Sequence, residues 1–403
     1  MQVETSPTSA AESPSAASPV HVPQGVLDDL KRRLKRTRWP DAAPGSGWNQ
    51  GVDVDYMKEL AGYWLDGYDW RKREAYLNTF PWFRAEIGGK PLRYIHARGK
   101  GPDPTPIVLL HGWPDSVHRY LKLLPMLTDP ARHGGDPEDS FDVIVPSLVG
   151  FAAGRGPSPH FMKDISETVF RLMHDALGYR RFASAGGDGG SALSQLLAVN
   201  HPEALIGLHL TDYGFHATMG EHKDLSETER NYLAEFHAWN YREGAYVMVQ
   251  GTKPMTLAYG LSDSPVGFAA WIVEKMRTWS DCGGDVESVF SKDELLDNVM
   301  QYWLADPTVH TVNYHDEFVS HSLPFDQKVD VPVGLALPPK DIGPVPPREF
   351  VQRNLKDIRR WTVLERGGHF AAMEFPGLLA PEIRAFFHAL KTGNGKGDRH
   401  VRE

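Results

Sequence analysis

The chain has 403 residues, 41% of them hydrophobic and 24% charged, which is ordinary for a soluble globular protein with one large core and room for additions. A net charge of −9 argues against nucleic acid as a partner, and the lone Cys282 excludes an internal disulfide and a cysteine-based zinc site. No apolar run approaches the roughly 20 residues needed to span a bilayer, so no membrane partner and a cytoplasmic location are expected.

Residues 1–19 are rich in Ser, Ala and Pro, with neither a basic start nor an apolar stretch, and read as a disordered tail. Within residues 26–36, Leu27, Leu30 and Leu34 share one helical face. Trp48, Tyr56, Tyr63, Trp64, Tyr68 and Trp70 then crowd a segment that reads as an N-terminal meander (20–80) glued to the core by its rings. Residues 83–87 and 92–96 alternate around Gly88-Gly89, the pattern of a hairpin. Continuous apolar runs at 107–110 and 143–145 are of parallel-strand type, and the first ends in His111-Gly112-Trp113-Pro114. A helix over 165–177 leads into a strand at 182–185, a glycine turn and a second helix, after which 205–210 is again strand-like. From 213 to 328 the sequence is helical and aromatic without strands, and strand patterning resumes at 331–337 and 361–364. Residues 392–403 are a flexible, charged tail. The expectation is an α/β fold with a mostly parallel central sheet. Its core is split into 81–212 and 329–391 by a helical cap at 213–328, and the meander precedes it.

The glycine turn carries the chemistry. Gly186-Gly187-Asp188-Gly189-Gly190 has the strand–turn–helix shape of a nucleophile elbow with aspartate in place of serine. A carboxylate that attacks an acyl group gives a reactive anhydride, whereas attack on an sp³ carbon gives an ester that water can hydrolyse. An epoxide or an alkyl halide is therefore the substrate this turn suits. Two other readings stay open on the turn alone. Residues 187–192 also fit G-x-G-x-x-G/A with Asp212 at the distance of a ribose-binding acid, and any strand–helix turn uses glycines.

Three further sites converge on it. The turn after 107–110 is where a backbone amide, that of Trp113, would complete an oxyanion hole with the amide of Gly189, while His111 reads as a histidine bonded under the turn. His369, in Arg366-Gly367-Gly368-His369-Phe370-Ala371-Ala372, lies after the last strand, where the order nucleophile, acid, histidine ends. Asp341, after 331–337, is favoured as the acid that orients it, with Asp212 and Glu349 as rivals.

The residues 30–34 and 37–40 (LKRRL and TRWP), HGWP, GGDGGS, GTKP at 251–254, LSDSPVG at 261–267 and RGGHFAAMEFP together resemble the microsomal-type epoxide hydrolases and their soluble bacterial relatives, over about 22–390. The resemblance implies an α/β-hydrolase fold and a small-molecule epoxide and water as partners, with no metal or organic cofactor. It implies Asp188 as nucleophile, His369 as base and Asp341 as its acid. It also implies that Tyr246 and Tyr314, in the cap, donate to the epoxide oxygen. Phe215, Trp239 and Trp303 are expected beside Trp113 in the substrate site, and this aromatic wealth favours a bulky apolar or aromatic epoxide from a natural-product or detoxification route. Gly189 stands where many relatives carry tryptophan, which counts against the similar haloalkane dehalogenases. The acid is Asp rather than the commoner Glu, one residue further from the histidine. Non-catalytic ligand binding remains an alternative, and whether the chain forms a homodimer stays open.

Overall fold

The computed structural model describes residues 13–148, 162–213, 218, 220, 222–305, 314–315 and 328–393. Its strands are β1 (Ser13–Ala17), β2 (Trp82–Ile87), β3 (Lys90–Ala97), β4 (Thr105–Leu110), β5 (Phe141–Pro146), β6 (Phe182–Gly186), β7 (Leu205–Leu210), β8 (Val329–Leu337) and β9 (Leu355–Val363). They form one sheet in the order 1-2-3-5-4-6-7-8-9. Pairings from β1 through β3 to β5 are antiparallel and all the others are parallel.

The apolar runs explain the central strands. Side chains alternate across a strand, and here both faces are covered, so every position of 107–110 must be apolar. Ile107 and Leu109 join one core cluster, Val108 and Leu110 the other, and all four are fully buried. The strand order reverses around β4, so the crevice outside the carboxyl ends of β4 and β6 is where an open α/β sheet receives a ligand.

Residues between β7 and β8 contribute helices Glu227–Glu243, Ala245–Thr252, Pro254–Asp263, Pro265–Thr278 and Lys292–Ala305, with no strand among the described residues there. The first begins with a capping box, in which the Ser226 and Glu229 side chains each satisfy the other's backbone amide. None of the described helices is long and apolar enough to cross a membrane.

The amino-terminal region departs from expectation at two points. The tail expected to run to Pro19 already contains a strand, because β1 pairs with β2 from Ser13↔Glu86 to Ala17↔Phe83. An edge strand takes its hydrogen bonds from its neighbour, so Ser and Ala suffice where composition alone suggests disorder. The segment that follows also grips the inserted helices as well as the core. Tyr63 donates to Asp293 at 2.8 Å, and Tyr68 donates at 2.8 Å and Arg73 at 2.9 Å to the buried Asp297.

Candidate active site

Asp188 sits at the turn between β6 and helix Gly189–Asn200 with φ 57° and ψ −131°, a conformation that costs a non-glycine residue about 1–3 kcal/mol. Two contacts hold it there. Its own N–H donates to Asp212 Oδ2 at 2.6 Å, and its Oδ1 accepts the Trp113 N–H at 2.9 Å. The glycines are required by close approach: a Cβ at Gly190 would lie 1.8 Å from the Leu110 carbonyl oxygen. Asp212 is engaged by the Asp188 amide of the turn itself and is not left free for a ribose, which counts against the dinucleotide reading.

The turn after β4 is braced from below. The His111 Nε2 accepts the Leu148 N–H at 3.1 Å, which makes Nδ1 the donor to the Gly112 carbonyl at 3.0 Å. Burial holds this histidine below its ordinary pKa, so it is a neutral support. Asp115 accepts the Gly112 N–H at 3.0 Å and pairs with the fully buried Arg119, whose other nitrogen donates to the His369 carbonyl at 2.7 Å. From above, helix Lys292–Ala305 pins the same turn. Asn298 donates to the Pro114 carbonyl at 2.7 Å and accepts from Ser116 at 2.8 Å, and Tyr302 donates to the Asp115 carbonyl.

His369, in the loop after β9, completes the cluster. Its Nδ1 bonds Asp341 Oδ1 at 2.6 Å, and its Nε2 stands 3.2 Å from Asp188 Oδ2 without the alignment of a hydrogen bond. Burial alone would depress the imidazole, but the charge of Asp341 and then the contact with Asp188 prevail and push it up to about 10. Burial likewise works against the Asp188 carboxylate, yet His369 and the amides of Trp113 and Gly189 hold it below the usual value. Both shifts run in the direction that favours a charged pair between His369 and Asp188. Asp212 differs: burial first, then the neighbouring Asp341 charge, push it up to about 7.

An aromatic wall faces these groups. Trp113 stacks on Tyr246 with centroids 5.1 Å apart and meets Tyr314 edge-on at 6.0 Å, while Trp279 packs 5.1 Å from Tyr246 and 5.4 Å from His369. Burial first and then other charges, Asp188 among them, hold both phenols well above their ordinary pKa, so they stay protonated donors.

Of the residues expected from sequence, Asp188, His369, Asp341, Trp113, Gly189, Tyr246 and Tyr314 come together. Glu349 does not: its carboxylate accepts from the Ser226 hydroxyl on the surface. Asp212 touches the turn and leaves the histidine to Asp341. Trp239 sits one ring back, 6.5 Å from Trp279, and Trp303 is half-buried against the apolar cluster that contains Trp113. Phe215 lies outside the described residues. Three supports were missed as site residues: Trp279, the Asp115–Arg119 pair, whose i,i+4 spacing is its only trace, and Glu374 in the last motif.

Residues 16–120 match the family described as "Epoxide hydrolase N terminus", and residues 105–246 match the "alpha/beta hydrolase fold". The chain is 41% identical to a Stigmatella aurantiaca protein named "Putative epoxide hydrolase" over 375 residues, 93% of this chain and 84% of that protein. It is 31% identical to "Epoxide hydrolase 1" of Sus scrofa over 394 residues, 91% of this chain and 87% of that one. The crystal structure of juvenile hormone epoxide hydrolase from the silkworm Bombyx mori superposes with a TM-score of 0.83 at 26% identity, covering 94% and 95% of the two chains.

Proposed function

The chain belongs to the epoxide hydrolase family, and we propose that Asp188 attacks an epoxide carbon to form a hydroxyalkyl ester, which water activated by His369 hydrolyses to a vicinal diol. One observation carries this reading. Asp188 has one oxygen on the Trp113 amide at 2.9 Å and the other 3.2 Å from the nitrogen of a histidine that Asp341 holds at 2.6 Å.

Asp188 is ionised at neutral pH and needs no base for the first step. The oxygen that the Trp113 amide leaves free, Oδ2, forms the C–O bond. The ring C–O bond breaks, and the released oxygen takes a proton from Tyr246 or Tyr314. The charge of Asp188 vanishes in the ester, which removes one of the two carboxylates that keep His369 protonated. His369 releases its proton, the phenolate regains one, and the neutral imidazole becomes a base at the moment one is needed. It takes a proton from water, and the hydroxide adds to the ester carbon. The amides of Trp113 and Gly189 hold the oxyanion. Collapse expels the diol oxygen, which takes the proton from His369, and the carboxyl left on Asp188 returns its proton to His369 to restore the ion pair. The protein supplies every proton transfer from its own side chains and water.

The wall of Trp113, Tyr246, Tyr314, Trp271 and Trp279 suits a bulky apolar or aromatic epoxide, because flat rings bury well between such faces. The two phenols suit an alkoxide leaving group better than halide, in keeping with Gly189 beside the nucleophile.

The test is His369→Gln. Because the first step needs no base, this variant should open one equivalent of epoxide and stop, leaving an adduct of substrate mass on Asp188 in intact-protein mass spectrometry. In the active enzyme, turnover in ¹⁸O water should leave label in the Asp188 carboxyl. An unmodified variant that still binds substrate, or label found elsewhere, refutes the ester mechanism.

A further inference from the structure

The loop that bears His369 is fastened by a buried carboxylate, Glu374, that the mechanism does not use. No lysine or arginine among the described residues pairs with it. Its oxygens instead accept backbone amides on both sides of the histidine, from Gly368 at 3.2 and 3.1 Å and from Phe370 at 3.0 Å. Its Oε2 also accepts the Asp281 N–H at 2.8 Å, from the segment that follows helix Pro265–Thr278. The two chain segments are interlocked further. The His369 N–H donates to the Trp279 carbonyl at 2.7 Å, and the Gly367 N–H to Asp281 Oδ2 at 3.2 Å. A Cβ at Gly368 would fall 2.4 Å from the Trp279 carbonyl oxygen, so the backbones touch.

We infer that Glu374 is a positioning residue for the second chemical step, its carboxylate fixing the His369 loop against segment 279–281 so that Nε2 addresses water at the Asp188 ester. The inference rests on the proposed role of His369 as base. The chemistry of the donor set explains why the residue is an acid. Burial pushes this carboxyl up to about 7 and the three backbone amides pull against that, because the ionised form is acceptor-only on both oxygens. A glutamine would turn an N–H₂ group toward those N–H donors and leave at least one of them without an acceptor. The same segment carries Trp279, which packs on both His369 and Tyr246, so Glu374 ties the base to the wall that faces the substrate. Nothing links Glu374 to Asp188 or the phenols directly, and this asymmetry makes the inference testable. Loss of the carboxylate should leave ring opening alone and slow ester hydrolysis.

Rapid-quench single turnovers of wild type, Glu374→Gln and the shorter Glu374→Asp, followed by intact-protein mass, resolve the two rate constants. These are first-order constants and do not depend on the fraction of protein that folds. Ring opening should stay within about 2-fold of wild type, and hydrolysis should slow by roughly 10–100-fold, the scale of a base moved by about 1 Å. The ester should therefore accumulate in Glu374→Gln. Glu374→Asp keeps the carboxyl group but withdraws it from the amides, and should fall between Gln and wild type. Equal slowing of both steps, or hydrolysis at the wild-type rate in Glu374→Gln, overturns the inference. Failure of the premise is separable, because His369→Gln would then trap no ester at all.

Discussion

Replacing Gly112 by alanine measures how closely Asp188, the proposed nucleophile, is packed. A Cβ at Gly112 falls 2.0 Å from Asp188 Oδ1, 2.7 Å from Asp188 Cβ and 2.6 Å from the Gly189 nitrogen. Ordinary non-bonded contact is about 3.5 Å, so the carboxylate must retreat by roughly 1–1.5 Å. Swinging the carboxylate aside would break its bond from the Trp113 amide and would leave the added Cβ still against Asp188 Cβ and the Gly189 nitrogen. Displacement of a reacting group by about 1 Å costs roughly 10²-fold, so ring opening should slow by about two orders of magnitude. Overpacking should cost about 1–3 kcal/mol of stability. Rapid-quench ring opening and urea unfolding read the two effects. Gly62 is the control. In helix Val54–Asp66 its added Cβ meets nothing within 4 Å, so Gly62→Ala should gain about 0.5–1 kcal/mol and leave the rates alone. Wild-type ring opening in Gly112→Ala with unchanged stability would refute the packing described for the site.

Tyr246→Phe should slow ring opening by roughly 10–100-fold, with Tyr314 as the remaining donor, and the double replacement should cost more; equal rates in stopped flow would remove both phenols from the mechanism. Asp341→Asn should slow ester hydrolysis by roughly 10²–10⁴-fold with little change in ring opening, and wild-type hydrolysis there would hand the orienting role to Asp212. His209, buried in β7 with neither ring nitrogen partnered, is pushed down to about 4 by desolvation. Its folded pKa is below the unfolded one, so its contribution is full above about pH 6.5 and is lost as pH falls toward 4, by about 3 kcal/mol at most. In His209→Leu that part of the acid loss should disappear from urea midpoints measured at pH 7 and 4.5.

Those parts of the fold were legible whose chemistry is local. A strand buried on both faces is apolar almost throughout, so 107–110 declared itself, as did 205–210 in spite of His209, and a turn as tight as 186–190 must be glycine-rich. Strands defined by their neighbours were not legible. The Ser/Ala/Pro composition of β1 hides its pairing, and only the end of β9 was anticipated, because its first two thirds, Leu355-Lys356-Asp357-Ile358-Arg359-Arg360, carry the charges of a sheet edge. At the site, Asp188 and His369 were readable from motif and order. Asp341 was favoured over Asp212 by order and placement although both follow strands, and it is Asp341 that lies 2.6 Å from His369. Tyr246 and Tyr314 were distinguishable among 14 tyrosines only through the family resemblance. Glu374 and Arg119 act on backbone groups, and of such contacts the sequence shows no more than the i,i+4 spacing of Asp115 and Arg119 and the place of Glu374 in the last motif.

Helix Lys292–Ala305 has consequences for engineering by recombination. Asp297 is held by Tyr68 and Arg73 of the amino-terminal region, while the next residue, Asn298, carries the Pro114 carbonyl of the turn whose amide grips Asp188. Three stretches of sequence thus meet in one turn of helix. A chimera that exchanges residues 213–328 to alter substrate range transplants only one side of this joint. The graft must bring matching residues at 63–73 and 114–116, or the turn that bonds Asp188 in the recipient loses its brace. Libraries cut at the apparent domain borders will be rich in folded, inactive proteins, and crossover points that keep these three stretches from one parent will recover activity.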